Sequence, residues 1–325
     1  MKNFEFAISI GSSVTSIYKA GVGVVLNEKS VVVTGIKGKR EIALHVGDDA
    51  FYSGIEYRKV INDGVIDFTL AELMISEFIK KVELKKKDGV IFLVSMEDMK
   101  YASDYKNLGY ACGINNVEVI PSIIATAYGY EIDAFKKFYL LVDIGVNTEI
   151  AIVNNGRIIN GATIFNGGNN IDVKIANYIY QEKGIELSKA SAEKVKNEIA
   201  TLLPNDERSI DVEGFIKDTT EYATATITST EIFDLVVDEY SKIANGILQI
   251  LVGCENEINQ DIKKHGIYLC GASSKITGLD KFFMTKLNLL SYKYKPDSVT
   301  MIGVGQLLDS PLAIEKVLLE NVLRD

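Results

Sequence analysis

The chain has 325 residues, 47% apolar and 24% charged, the balance of a soluble globular protein, and its length leaves room for two cores, because single cores stop growing near ~250–300 residues. A formal net charge of −9 excludes a general affinity for nucleic acid without a localised basic patch. No apolar run approaches the ~20 residues of a membrane span, and residues 1–6 lack a signal-peptide core, so a cytoplasmic protein is expected. His45 and His265, the only histidines, argue against a histidine metal site, and Cys112, Cys254 and Cys270 show no paired spacing, as buried thiols in a reducing compartment would.

In chain order, Phe4, Phe6, Ile8 and Ile10 alternate as one side of a strand does. Gly11, Ser12 and Ser13 turn it, residues 15–20 return, and a third strand is expected over roughly 23–33. Thr69 and Glu72 predict a capping box, followed by the helical stripe Leu70, Leu73, Met74, Phe78 and Val82. Lys85, Lys86 and Lys87 read as a solvated loop before a strand. An amphipathic stretch covers about 98–112, and another helix follows Pro121.

A strand over 139–144 then meets a turn at Gly145, Val146 and Asn147, and residues 149–153 return. Asn155-Gly156 is a hairpin signal leading to a strand that ends at Ile164. After Gly167 and Gly168 a helix carries Ile171, Ile175, Tyr178 and Ile179 and stops at Gly184. The next runs over about 191–203. Thr228 and Glu231 cap a long helix with an apolar face of Phe233, Val236, Tyr240, Ile243, Ile247 and Leu251. A strand and turn over 267–274 precede two short helices, and Ser310-Pro311 starts the last one.

Within this order lies a repeat. Placing Ser9 on Asp143, 134 residues on (143 − 9), aligns Ile10-Gly11 with Ile144-Gly145 and, after one deletion in the second turn, Thr15 with Thr148. Two strand–glycine turn–strand units at that distance predict two related lobes. A glycine at a strand end lets backbone N–H groups approach an anion, and two such turns suit a polyphosphate. An aspartate there can hold the water shell of Mg²⁺; Asp143 fits, whereas its counterpart is Ser9. A third turn follows a strand at Gly271, Ala272 and Ser273. Glu193 and Lys196 share a helix face, read either as a solvated ion pair or as a clamp on a nucleoside.

The ordered motifs resemble the actin and heat-shock-chaperone ATPase superfamily, and most closely the rod-shape-determining bacterial actins, the MreB family. Residues 8–18 take the place of the first phosphate motif, Asp-Leu-Gly-Thr; 62–67, Asn-Asp-Gly-Val-Ile-Asp, resemble Lys-Asp-Gly-Val-Ile-Ala; 121–129 resemble the connecting helix. Residues 143–149 are similar to the second phosphate motif, 191–198 to Thr-Ala-Glu-Glu-Ile-Lys-Ile-Glu, and 266–279 to the adenosine motif.

The resemblance implies an α/β, actin-like (ribonuclease H-like) duplicated fold of two lobes with a central interdomain nucleotide cleft. Lobe I is expected over 1–138, with a small subdomain near 30–66 and the C-terminal helix 311–325 packed back on it; lobe II over 139–310, with a small subdomain near 180–228. It implies ATP or ADP with Mg²⁺. Gly11, Ser12, Ser13, Thr15, Gly145, Val146, Asn147, Thr148, Glu193, Lys196, Gly271, Ala272 and Ser273 are the expected nucleotide contacts, Asp143 the metal-organising residue, and Asp143 and Glu149 the catalytic candidates. It further implies assembly into protofilaments, with other actin-like or cell-shape adaptor proteins as partners. The departures fall in the site. The first aspartate is Ser9, the glutamate that polarises the attacking water is Ile120, with Glu118, two residues earlier, on the same face to replace it only if the strand continues there, and the adenosine Gly-Gly-Gly is Gly-Ala-Ser. Loss of a positioned base typically costs ~10²–10⁴-fold in rate, so the expected protein is a filament former with weak or absent ATP hydrolysis. The alternative on the same core is a non-polymerising ATPase or nucleotide-dependent adaptor. For the inner membrane face, the three lysines of 85–87 offer only an electrostatic attraction to anionic lipid.

Overall fold

A computed structural model describes residues 4–62, 64–132, 137–217, 219, 221–295 and 298–318. Asp63 of the 62–67 motif and residues 319–325 of the expected final helix lie outside them. Contacts group the chain into two units, Met1–Lys136 with Val153–Ile158 and Ser298–Asp325, and Lys137–Ile152 with Ile159–Asp297.

The first unit opens with the meander β1 (Phe6–Ile10), β2 (Val14–Lys19) and β3 (Gly23–Lys29). The single strand expected over 23–33 is two. Ser30, fully buried and hydrogen-bonded to Thr15, separates β3 from β4 (Val31–Lys37), which joins β5 (Arg40–Val46) and, beyond α1 (Gly47–Phe51), β6 (Arg58–Lys59) in another sheet. A small ribbon of β7 (Ile61–Asn62) and β8 (Val65–Ile66) leads to α2 (Phe68–Lys81). Its cap is Asp67, not the expected Thr69: the carboxylate accepts from the N–H groups of Thr69 and Leu70, both at 3.0 Å.

Next, β9 (Gly89–Val94) is buried along its whole length, which is why it reads as an unbroken apolar run. A 3₁₀ turn, α3 (Ala102–Ala111), β10 (Asn116–Pro121) and α4 (Ser122–Gly129) follow. The main sheet has the order β10-β9-β1-β2-β3, with β9 parallel to β1 and to β10. Phe6, Ile8, Met74, Phe78, Phe92 and Val119 fill its core.

The second unit repeats this plan. β11 (Tyr139–Ile144), β12 (Thr148–Asn154) and β13 (Arg157–Ile164) come first, with Asn155 and Gly156 at φ 51° and 70°, as the hairpin signal predicts. α5 (Gly168–Lys183) ends on left-handed Gly184, φ 68°. Beyond β14 (Ile185–Glu186), α6 (Lys189–Ile199) stops short of the expected residue 203, since Ala200 is extended and Thr201 bridges to Thr277. β15 (Ser209–Ile216) and β16 (Tyr222–Thr228) complete a three-stranded sheet with β14.

The expected Thr228/Glu231 capping box starts α7 (Ser229–Val252). Ile232 and Ile250 take the buried places expected for Phe233 and Leu251, which are half-buried. α8 (Asn256–His265), β17 (Ile267–Cys270), a 3₁₀ turn at Ala272–Lys275, α9 (Leu279–Leu287) and β18 (Ser291–Lys293) finish the unit. The sheet order is β13-β12-β11-β17-β18, three consecutive strands followed by two parallel ones, the same arrangement as in the first unit. A core of its own includes Val142, Ile175, Val236, Ile243 and Leu269.

Finally α10 (Val299–Leu308) and α11 (Pro311–Val317) group with the first unit, although the sequence reading assigns residues up to 310 to the second lobe. Glycines explain the docking. Gly129 and Gly303 let α10 lie directly on α4, where a Cβ on Gly303 would stand 2.5 Å from the Gly129 nitrogen, and the Thr126 and Thr300 hydroxyls meet at 2.8 Å. Among the described residues no helix is long and apolar enough to cross a membrane.

Candidate functional site

The first glycine turn closes when the Gly11 N–H donates to the Val14 carbonyl at 3.0 Å. Ser12 is half-buried and Ser13 exposed, and the Ser13 carbonyl accepts from the Ser30 N–H at 3.2 Å. Thr15 stands apart from this exposed tip. It is fully buried, its hydroxyl 2.9 Å from that of Ser30, and so supports the turn from beneath. Ile120 is 1% exposed. β10 does continue through Glu118, which puts the two residues on one side of the strand, but Glu118 is ion-paired with Lys106 at 2.8 Å.

Around the second turn the chain converges. The Gly145 N–H donates to the Asn147 carbonyl at 3.0 Å, one residue tighter than in the first turn, as the one-residue deletion requires. Val146 and Asn147 are half-buried, and the Gly145 carbonyl accepts from the Gly168 N–H at 2.8 Å. Gly167 is essential to this approach, since a Cβ there would lie 2.5 Å from the carbonyl oxygens of both Gly145 and Val146. Thr148 is fully buried and donates its hydroxyl to the Asn166 carbonyl at 2.6 Å, the counterpart of buried Thr15. Glu149 is 7% exposed and lies within β12.

Because β17 runs parallel to β11 with Cys270 opposite Asp143, the Gly271 turn emerges beside the Asp143 carboxylate. Gly271, at φ 81° and ψ 151°, has no room for a Cβ, which would overlap Asp143 Oδ1 and stand 2.5 Å from the Ile144 carbonyl. Burial raises the Asp143 pKa, and a hydrogen bond with Cys270 pulls the other way. Ala272 is exposed. Ser273 is half-buried with its hydroxyl against the Gly168 Cα.

Of the Glu193/Lys196 pair, Lys196 makes the direct contacts at this place. Its ammonium pairs with Asp172 at 2.8 Å and donates to the Gly168 carbonyl at 3.2 Å, while Glu193 is exposed. The reading of a solvated Glu193–Lys196 pair is therefore corrected. Burial raises the Asp172 pKa and Lys196 opposes the shift. Sequence reasoning takes Gly167 and Gly168 only as the lead-in to a helix and passes over Asp172. The adjacent glycines are the signal that could have found them, since a helix start needs at most one.

In the second unit, then, the Gly145 and Gly271 turns lie beside the Asp143 carboxylate, and the double-glycine helix start, packed on the Gly145 turn, carries the Lys196–Asp172 pair. A Cβ on Gly145 would meet nothing closer than the Asn147 carbonyl at 3.5 Å, so a methyl group there would make only ordinary contacts. Glycine turns that admit a close approach to backbone, with a lysine nearby, suit a polyanion.

The MreB/Mbl protein family model matches residues 3–316. The cell shape-determining protein MreB of Escherichia coli (strain K12) is 28% identical over 302 residues, covering 88% of this chain and 87% of the relative. The cell shape-determining protein Mbl of Bacillus subtilis (strain 168) is 27% identical over 322 residues, covering 94% and 96%. Among solved structures, MreB5 of Spiroplasma citri bound to ADP superposes with a TM-score of 0.84 at 25% identity, over 95% of this chain and 97% of that one. The MamK double helical filament gives 0.75 at 19% identity, over 94% and 98%. With its duplicated sheets, this chain has the two-lobed α/β fold of actin and belongs to the MreB/Mbl protein family.

Proposed function

We propose that this protein is a cytoplasmic, filament-forming bacterial actin that binds ATP and ADP and hydrolyses ATP slowly or not at all. The observation that carries the reading is the convergence on Asp143: Gly145 and Gly271 lie beside its carboxylate, and Lys196 sits on Gly168 next to the Gly145 turn. The Gly11 turn is proposed as a further phosphate grip. That the S. citri relative is described as bound to ADP supports the choice of ligand, and the MamK filament supports self-association.

Mg²⁺ fits these residues only in company. Among the described residues no group of three or more His, Cys, Asp or Glu side chains could hold a metal. Asp143 is a single carboxylate, and Mg²⁺ is usually held by one or two carboxylates with the oxygens of substrate phosphates and water. Asp143 would thus orient the water shell of an ion arriving with the nucleotide, and that ion would neutralise phosphate charge. Slow hydrolysis follows from the first unit, where Ile120 and Ser9 flank Leu93 in register and offer neither a general base nor a second carboxylate.

Sedimentation with ATP, with ADP and without nucleotide tests the reading. Pelleting that depends on nucleotide is expected, with phosphate release slow compared with assembly. A chain that binds ATP but stays monomeric at high concentration in all three conditions would replace it with the nucleotide-dependent adaptor.

A further inference from the structure

We infer that Tyr240 is a positioning residue of this nucleotide site, and that α7 sets the spacing between the site's two glycine turns through Tyr240 and its neighbour Glu239. The inference rests on the nucleotide reading above. Tyr240 is 1% exposed, and its hydroxyl donates to the Ser273 carbonyl at 2.5 Å, inside the turn that begins at Gly271. One residue earlier, the Glu239 carbonyl accepts from Asn166 Nδ2 at 2.9 Å, and the Asn166 carbonyl accepts from the Thr148 hydroxyl that ends the Gly145 turn. Consecutive residues of one helix thereby hold both turns.

The helix is suited to the task. It runs 24 residues from a complete capping box, and the Glu239 carboxylate ties it to α5 by pairing with Lys174 as well as with Lys242. A buried phenol needs a partner for its hydroxyl. Phenylalanine would fill nearly the same volume but leave the Ser273 carbonyl without this donor. Burial, aided by the Asp172 charge, holds the phenol pKa far above the physiological range, so the hydroxyl is always a donor. Ser273 in turn lies against Gly168, where Lys196 binds. A shift of the Ser273 carbonyl moves the wall of the site without touching its charges.

Tyr240→Phe is the test, read by fluorescent-nucleotide titration, thermal melting without ligand and amide exchange. The Kd for both ATP and ADP is expected to rise roughly three- to tenfold, the equivalent of one lost hydrogen bond. Exchange at the Ser274 N–H, which donates to the Gly271 carbonyl at 3.1 Å, should accelerate, and the melting temperature should stay within about 4 °C of the parent. Tyr105→Phe is the control. It removes another buried tyrosine hydroxyl, donated to Asp98 at 3.4 Å in the first unit, and should leave both Kd values unchanged. If the parent binds ATP and Tyr240→Phe binds it equally well, the inference falls and the nucleotide reading stands. A drop in melting temperature beyond 10 °C with exchange raised throughout the second unit also overturns it, because the hydroxyl is then merely structural. A parent that binds neither nucleotide sinks both.

Discussion

The two glycine turns occupy equivalent places in sheets of the same order, yet their glycines are required for different reasons. A Cβ on Gly11 would stand 2.8 Å from the Val14 carbonyl, inside the turn's own hydrogen bond, whereas one on Gly145 would find its nearest neighbour at 3.5 Å. The first glycine is fixed by its own hairpin, the second by what has to lie over it. The strand ends beside them differ too. In the first unit the row across the sheet reads Ile120, Leu93, Ser9, and in the second Asp143 stands beside Cys270. Duplication has preserved the frame, including a buried threonine under each turn, while acidic chemistry is retained on one side only. Fold and chemistry are separable here because isoleucine and serine are as acceptable to a strand end as a carboxylate is.

The largest effect expected is at the Gly271 turn, which has no counterpart among the residues of the Gly11 hairpin. Gly271→Ala must place a side chain at φ 81° and ψ 151°, a region essentially reserved for glycine, and push it into Asp143. A loss of about 2–4 kcal/mol in denaturant unfolding is expected, together with loss of ATP binding. Unaltered stability would mean that the turn is not built as described.

Restoring acids to the first unit tests the asymmetry from the other side. Ser9→Asp with Ile120→Glu puts carboxylates on either side of Leu93, roughly 10 Å apart at ordinary strand spacing. Phosphate release is expected to rise about a hundredfold, the low end of what a positioned base supplies. Ile120 is 1% exposed, so the glutamate is buried at a cost of ~1–3 kcal/mol, and the variant must first be shown to bind ATP. No gain in a variant that binds would remove the missing acids as the cause of slow hydrolysis.

A smaller and sharper contrast comes from single methyl groups. Gly11→Ala should destabilise the ligand-free protein by about 1–2 kcal/mol, because the Val14 carbonyl has to move. Gly145→Ala should change stability by less than about 0.5 kcal/mol but weaken ATP by tenfold or more, since the added methyl fits the protein and enters the place proposed for the phosphates. Equal stability losses in the two variants would erase the distinction drawn between the turns.

Much of the frame is legible in the chain because its signals are local. Asn155-Gly156 dictates a hairpin wherever it sits between strands, Thr228 and Glu231 cap α7 over three residues, and the repeat aligns Gly11 with Gly145. What escapes reading is set by distant partners. Helix spacing pairs Lys196 with Glu193, but the chain brings in Asp172 from α5, and a buried carboxylate wins because its charge has no water to turn to. Periodicity counts Tyr240 among the apolar residues, as its ring is, and cannot register that its hydroxyl ends on Ser273. Ser30 splits an expected strand because its hydroxyl finds Thr15 across the sheet. The departures at Ser9 and Ile120 are legible only against the family pattern, since neither disturbs its own strand.

Asp143 offers the finest test, because its charge is set against its own burial. Its folded pKa lies above the ordinary 3.8, so the folded protein holds that proton more firmly than the unfolded chain. The stability this contributes is full below pH 3.8 and disappears as pH rises through the folded value. Ionising Asp143 in the ligand-free protein therefore carries a cost that a bound cation or donor would offset. Asp143→Asn, nearly the same shape without the charge, should melt a few degrees higher than the parent at pH 7, and the difference should shrink as the pH is lowered toward 4. The same variant should bind ATP with no gain in affinity from added Mg²⁺, where the parent shows one. Such a pairing, more stable empty and insensitive to the metal when loaded, is what a carboxylate kept for its ligand predicts. If the variant were instead less stable at pH 7 with its Mg²⁺ dependence intact, Asp143 would be a structural acid and the second unit would be as bare of chemistry as the first.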